Sequence, residues 1–164
     1  MKKRVFLICF VILAACQEAP QEDFSPLAIT SGDECHVCGM LITRLPGPKA
    51  QGIFDKQPVK FCSTRDMVSF YEDEENTHRV SQLFTQDMAV NDWTKPSVNR
   101  FIDAKAAWYV EGSSQTGGMG PTFASFANQS DAQNFSGQYG GQVKKFTQLL
   151  NAQTLGALQG GHLH

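Results

Sequence analysis

Residues 61–70 read FCSTRDMVSF, and residues 126–135 read FANQSDAQNF. Set against each other, the two segments share an initial phenylalanine, a helix-capping residue two positions later, an aspartate three positions after the cap, and a final phenylalanine. This pattern is typical of a strand that ends at an N-cap and is followed by a helix with an acidic first turn and an aromatic residue on its buried face. The chain is therefore predicted to contain a short internal repeat.

The sequence around each segment extends this repeat. In the first unit we predict strands at residues 50–54 and 59–62, a hairpin turn at 55–58, and a helix from Ser63 to about Tyr71. In the second unit we predict strands at 108–111, 122–127 and 142–146, a glycine-rich loop at 112–121, and a helix at 128–139 that ends at two glycines. The acidic run 72–75 is expected to end the first helix and to face water.

These elements predict an α+β fold made of two similar ββαβ units, at about 33–90 and 91–155. A unit of about 60 residues buries little apolar surface alone, so we expect the two units to pack against each other. Residues 156–164 are expected to form a flexible tail, although His162 and His164 could chelate a metal ion there.

The N-terminal segment is typical of a lipoprotein signal peptide. Three cationic residues at positions 2–4 precede the apolar run 5–15, which is shorter than the about 20 residues needed to span a bilayer. The run ends in Leu13-Ala14-Ala15-Cys16, a lipobox that predicts cleavage after residue 15 and lipidation of Cys16. The polar segment that follows predicts a lipidated flexible tether at 16–32, with the folded domain at 33–155.

Processing at residue 15 changes both the net charge and the number of available thiols. The net charge goes from −2 to −5, which leaves no basic patch for nucleic acid. Cys9 is lost and Cys16 becomes a thioether, so the available thiols are those of Cys35, Cys38 and Cys62. Three thiols cannot form a complete set of disulfides, so at least one cysteine is expected to be free or metal-bound.

The strongest local signal is the run DECHVCGM at residues 33–40. Its candidate ligands for a soft metal are Cys35, His36, Cys38 and Met40. If the segment is extended, Cys38 and Met40 share a face with His36 and Cys35 lies on the other face. If the segment is a turn, Cys35 and Cys38 converge instead, and the sequence leaves both conformations open.

Four interpretations compete for this Cys-x-x-Cys motif. Haem attachment requires a histidine directly after the second cysteine, where this chain has Gly39. A structural zinc site lacks a second cysteine pair, since only Cys62 and scattered histidines at 78, 162 and 164 remain. A thiol-disulfide oxidoreductase usually carries the motif at a helix start, which glycine and β-branched neighbours disfavour here. Copper(I), which prefers thiolate and thioether sulfur, is the fourth interpretation.

Met119 favours the copper interpretation. It lies in GGMGP at residues 117–121, and three glycines and a proline provide none of the neighbours that bury a core methionine. A displayed thioether at 119 and two sulfurs near residue 38 predict a three-sulfur site between the two units.

Taken together, these motifs resemble the NosL family of membrane-anchored copper chaperones, which help to assemble nitrous oxide reductase in denitrifying bacteria. The resemblance rests on the motif at 35–40, on Pro46-Gly47-Pro48, Phe61-Cys62-Ser63 and Met119-Gly120-Pro121, and on shorter matches up to residue 150. It implies a copper(I)-binding lipoprotein whose metal ligands are Cys38, Met40 and Met119. Cys35 and His36 are possible accessory ligands, and Cys62 is expected to be accessory or structural.

The resemblance also implies a function and partners. We expect a chaperone, not an enzyme, that passes copper by ligand exchange to nitrous oxide reductase, to its copper-assembly transporter machinery, or to both. Gln17 after the lipidated cysteine is not the aspartate that signals inner-membrane retention, so an outer-membrane anchor facing the periplasm is expected. The alternative function is an envelope thiol-disulfide oxidoreductase that uses Cys35 and Cys38.

Overall fold

The computed structural model describes residues 24–150. The predicted signal peptide, the lipidation site at Cys16 and the tail at 156–164 lie outside this range. Among the described residues, no helix combines the length and the apolar character needed to cross a bilayer.

The first unit is an antiparallel sheet with one long helix. A 3-10 turn at Ile42–Arg44 precedes strands β1 (Ala50–Phe54) and β2 (Gln57–Phe61), helices α1 (Thr64–Glu72) and α2 (Glu74–Thr77), and strand β3 (Val80–Gln86). The strand order is β2-β1-β3, and β4 (Phe101–Asp103) extends the sheet beside β3.

The second unit repeats this topology. It consists of β5 (Trp108–Glu111), a small hairpin of β6 (Thr116–Gly117) and β7 (Gly120–Pro121), β8 (Ala124–Phe126), α3 (Gln129–Tyr139) and β9 (Gln142–Lys145). Its sheet has the order β8-β5-β9, so in both units the first strand is central, the helix follows the second strand, and the third strand returns on the other side. The predicted α+β fold of two ββαβ units is confirmed.

The repeated segments have the predicted local structure. Phe61 and Phe126 each end a strand, and Ser63 and Asn128 each occupy the N-cap position of the following helix. The Ser63 hydroxyl accepts a hydrogen bond from the backbone N–H of Asp66 at 3.0 Å, as a capping residue should. The side chain of Asn128 forms no such bond to the helix backbone.

Several regions differ from the sequence interpretation. The ββαβ pattern predicts a last strand in the first unit but does not place it, because the buried end of this strand, β3, is polar: Thr85 and Gln86 are fully buried and hydrogen-bond to Ser125 and to the backbone of Lys49. The acidic run ends α1 as predicted, but Asp73 then caps the short helix α2.

The N-terminal boundary also differs. Ile29, inside the predicted tether, is only 4% exposed, and its N–H donates to the carbonyl of Val98 at 2.9 Å. Contacts with the folded domain therefore begin upstream of residue 33.

The two units share a hydrophobic core. Buried side chains of the first unit, including Phe61 and Met67, form one cluster with Tyr109 and Phe146 of the second. At the edge of this core the fully buried Thr64 hydroxyl contacts the Thr122 hydroxyl at 3.0 Å, donates to the Phe123 carbonyl and accepts from the Phe123 N–H. The start of α1 is thereby fixed to the chain that leaves the β6–β7 hairpin.

We predict that Thr64→Val destabilises the protein by about 1–3 kcal/mol, because it leaves the buried polar groups of Phe123 without their partner while keeping the side-chain shape. Thr43→Val, at an exposed position, is the matched control and should change stability little. Urea unfolding of the two variants measures the difference, and equal midpoints would contradict this role for Thr64.

Glu72 provides a test by pH. One of its carboxylate oxygens is buried without a hydrogen-bond partner among residues 24–150, and burial raises the pKa of this carboxyl above the ordinary value of 4.5. The pKa of such a carboxyl is higher in the folded protein than in the unfolded chain. It contributes stability at pH values below its pKa in the unfolded chain, and this contribution is lost as the pH rises through its pKa in the folded protein.

Glu72→Gln should therefore be more stable than the wild type at pH 7, and this gain in stability should vanish below about pH 4.5. Urea unfolding at both pH values measures this, and Glu74→Gln, at an exposed position, should show no such gain.

Candidate metal centre

The motif at residues 35–40 forms a turn, which is the second of the two conformations considered above. The N–H of Gly39 donates to the carbonyl of Cys35 at 2.8 Å, and the N–H of Cys35 donates to the carbonyl of Met40 at 2.9 Å. Gly39 has a φ of 72°, a conformation that glycine adopts without steric cost. The turn brings Cys35 and Cys38 to the same side of the chain.

Backbone and charged contacts fix this turn to strand β2. The N–H of His36 donates to the carbonyl of Lys60 at 2.8 Å, and the Lys60 ammonium forms an ion pair with Asp33 at 2.6 Å. Cys62 follows β2 directly, so the anchoring at Lys60 places the turn beside the Cys62 side chain.

Four side chains then meet in what we call the thiol cluster: Cys35, Cys38, Cys62 and Asp66. The Sγ atoms of Cys38 and Cys62 are 3.6 Å apart, and the Cys62 thiol donates to Oδ2 of Asp66 at 3.0 Å. The Cys35 thiol contacts the same oxygen at 3.6 Å. The four potential ligand atoms all lie within 4.8 Å of one another.

Burial and hydrogen bonding make the three thiols chemically different. Cys35 and Cys62 are buried, whereas Cys38 is half-buried. A hydrogen bond from Cys62 lowers the pKa of Cys35 to about 5, and the same bond, burial and the Asp66 carboxylate raise the pKa of Cys62. The buried pair therefore favours a Cys35 thiolate beside a protonated Cys62.

Half of this cluster differs from what the sequence predicts. The sequence predicts an accessory or structural role for Cys62, and for Asp66 only a place in the acidic first turn of a helix. The structure adds this one cysteine and this one aspartate to Cys35 and Cys38, instead of a second cysteine pair or a histidine. The spacing Cys62-x-x-x-Asp66 across a helix N-cap was the available signal, because it places both side chains at the start of α1.

His36, a possible accessory ligand, lies among aromatic rings. Its imidazole packs edge-on against Phe70 with centroids 5.1 Å apart, and it also contacts Phe54 and Phe61 at 6.3 Å. It is not one of the four residues that form the thiol cluster.

The two predicted methionine ligands are exposed. Met40 is 39% exposed at the end of the turn, and Met119 is 53% exposed between β6 and β7. The structure thus displays Met119, as the glycine-rich sequence predicted. Their role as copper ligands together with Cys38 stays a prediction.

The Met119 hairpin packs against Leu45, which follows the cysteine turn in the chain. Gly118 lies so close to Leu45 that an added Cβ would come within 2.5 Å of the leucine side chain. Leu45 in turn packs against the small apolar cluster that contains Cys35 and Cys62. Leu45 therefore connects the hairpin to this apolar cluster, and glycine at 118 is what permits the close approach to Leu45.

A two-unit α+β fold with three clustered thiols and two exposed thioethers defines a class: a small protein with a binding site for a soft metal ion. The chain belongs to the NosL family, whose model matches residues 26–154.

Relatives and a solved structure agree with this assignment. The chain is 40% identical to the copper-binding lipoprotein NosL of Stutzerimonas stutzeri, over 90% of this chain and 79% of that protein. It is 30% identical to the copper-binding lipoprotein NosL of Achromobacter cycloclastes, over 92% of this chain and 80% of that protein. The crystal structure of the copper chaperone NosL from Shewanella denitrificans matches with a TM-score of 0.73 and 46% identity, covering 75% of this chain and 93% of that one.

The role of Asp66 in the thiol cluster is open to a direct test. We predict that Asp66→Asn lowers the pKa of Cys62, because the variant removes the carboxylate charge that holds the proton on this thiol. The titration of the cysteine Cβ chemical shifts measures this change. Asp131→Asn, at the equivalent position of the second unit, is the control and should leave the cysteine titrations unchanged; the same result for Asp66→Asn would contradict the assigned contacts.

Proposed function

We propose that this protein is a membrane-anchored copper(I) chaperone that delivers copper for the maturation of nitrous oxide reductase by ligand exchange. The observation that carries the proposal is the position of Cys38, a half-buried thiol at the edge of the thiol cluster and two residues from the exposed Met40. The names of the relatives, copper-binding lipoprotein and copper chaperone, support copper as the metal.

The proposed ligands are Cys38, Met40 and Met119. One thiolate and two thioethers match the preference of copper(I) for soft sulfur ligands and for low coordination numbers. The burial of Cys35 and Cys62 leaves Cys38 as the most accessible thiol of the cluster, and both methionine side chains are exposed.

Ligand exchange follows from the exposure of this site. Thioethers are neutral and leave readily, so an acceptor can add its own ligands to copper before Cys38 departs. The metal then passes from one protein to the other without release into solvent. In this mechanism the protein catalyses no reaction and copper is its cargo.

Anchoring and partners complete the proposal. Lipidation at Cys16 would hold the domain at the membrane, with an outer-membrane location facing the periplasm favoured by Gln17. The proposed acceptor is nitrous oxide reductase, its copper-assembly transporter machinery, or both. The mature charge of −5 argues against nucleic acid as a partner.

The alternative, a thiol-disulfide oxidoreductase, draws support from the low pKa of Cys35. Such an enzyme needs an accessible attacking thiol, however, and Cys35 is only 3% exposed in a turn that does not begin a helix. Chaperone activity is therefore the better supported function.

We predict that Cys38→Ser and Met119→Ala each weaken copper(I) binding by roughly tenfold or more, the scale on which single groups at metal sites act. Competition with a chromogenic copper(I) chelator measures the affinity. Val90→Ala removes an exposed apolar side chain outside the proposed site and should bind copper like the wild type. Wild-type affinity in Met119→Ala would eliminate the proposed three-sulfur site, and disulfide-reducing activity that is lost in Cys35→Ser but unchanged in Met119→Ala would favour the alternative.

A further inference from the structure

The thiol cluster contains more thiols than the proposed copper site uses. Cys38 is the only cysteine among the three proposed copper ligands, yet its Sγ lies 3.6 Å from that of Cys62. All three cysteines are free thiols in this structure. Two adjacent thiols, one of them a metal ligand, form a potential redox couple.

We propose that Cys38 and Cys62 form a reversible disulfide and that this disulfide prevents copper binding at the proposed copper site. A disulfide requires the two sulfur atoms to approach to about 2.05 Å, so they must move together by about 1.5 Å. Cys38 lies in a surface turn next to Val37, which is 51% exposed, whereas Cys62 is held between β2 and α1. The approach therefore needs a movement of the turn alone.

The burial of the cysteines assigns a role to each. Cys38 is the accessible thiol that an oxidant reaches first, and Cys62, 1% exposed, is close enough to react with it in a second step. The Cys35 thiol is directed at Asp66, and Cys35 is 3% exposed. Cys35 therefore stays reduced in this reaction.

The oxidant is a disulfide, either of a small thiol or of a protein. Cys38 attacks one sulfur of this disulfide, forms a mixed disulfide and releases the first thiol. Cys62 then attacks the Cys38 sulfur, forms the Cys38–Cys62 bond and releases the second thiol. The protons of Cys38 and Cys62 end on the two released thiols, and the oxidant is reduced by two electrons.

The consequence for copper rests on the proposed function. With Cys38 in a disulfide, the site keeps only the two neutral thioethers and loses its one anionic ligand. Copper binding is then confined to the reduced protein. Bound copper in turn occupies Cys38 and protects it from the oxidant.

The experiment uses the full chain in detergent, reduced and then treated with oxidised glutathione, with and without copper(I). After free thiols are blocked, trypsin releases Cys62 in the short peptide 61–65, which is separate from the peptide that carries Cys35 and Cys38. We expect these two peptides to be joined in the wild type and in Cys35→Ser, and to be separate in Cys38→Ser and in the copper-loaded protein. An unlinked peptide 61–65 in the oxidised wild type, or a linkage that persists in Cys38→Ser, would overturn the proposal.

A second variant tests the order of the two steps. Cys62→Ala cannot complete the reaction, so it should accumulate one glutathione on Cys38, whereas the wild type should lose two hydrogens and carry no glutathione. Intact-mass spectrometry distinguishes these products. A wild type that retains glutathione to the same extent would contradict the role of Cys62.

Chelator competition on the isolated disulfide form tests the effect on copper. We expect a loss of copper(I) binding of tenfold or more, restored in full by reduction. Equal copper(I) affinity of the oxidised and reduced forms would overturn the proposal that the disulfide prevents copper binding. Absence of copper binding in both forms would refute the proposed function, while the peptide map would still decide whether the disulfide forms.

Discussion

The hydrogen bond between the Asp66 N–H and the Ser63 hydroxyl sets the geometry on which the rest of the site depends. It starts α1 immediately after strand β2, so that Cys62 lies before the cap and Asp66 lies in the first helical turn. This junction places a thiol and a carboxylate within 3.0 Å of each other. The cysteine turn, tied to the neighbouring backbone at Lys60, then adds Cys35 and Cys38 to the same point.

The two units share one fold but contribute differently to the site. At the positions equivalent to Cys62 and Asp66, the second unit has Ala127 and Asp131, which provide no thiol. The second unit also differs in the connection between its first two strands. The first unit makes this connection with the two residues Asp55 and Lys56, whereas the second inserts the β6–β7 hairpin that displays Met119. The repeated framework therefore exposes Met119, a proposed copper ligand, through a change in one loop.

Local sequence patterns predicted the elements whose hydrophobic and capping residues lie close together in the chain. Strands β1 and β5 have the predicted bounds, and both long helices begin at their predicted caps. Strand β3 was not placed because its buried polar residues find partners only in the tertiary structure. The thiol cluster was missed for a similar reason, since Cys38 and Cys62 are 24 residues apart and meet only through the anchoring of the turn to β2.

The central claim is that Cys38 binds copper(I) together with exposed thioethers contributed by both units. X-ray absorption spectroscopy of the copper(I)-loaded full chain tests it most directly, because the extended fine structure reports the type and number of atoms bound to the metal. We expect three sulfur atoms bound to copper in the wild type and the loss of one of them in Met119→Ala. A shell that contains nitrogen or oxygen, or one that is unchanged in Met119→Ala, would contradict it.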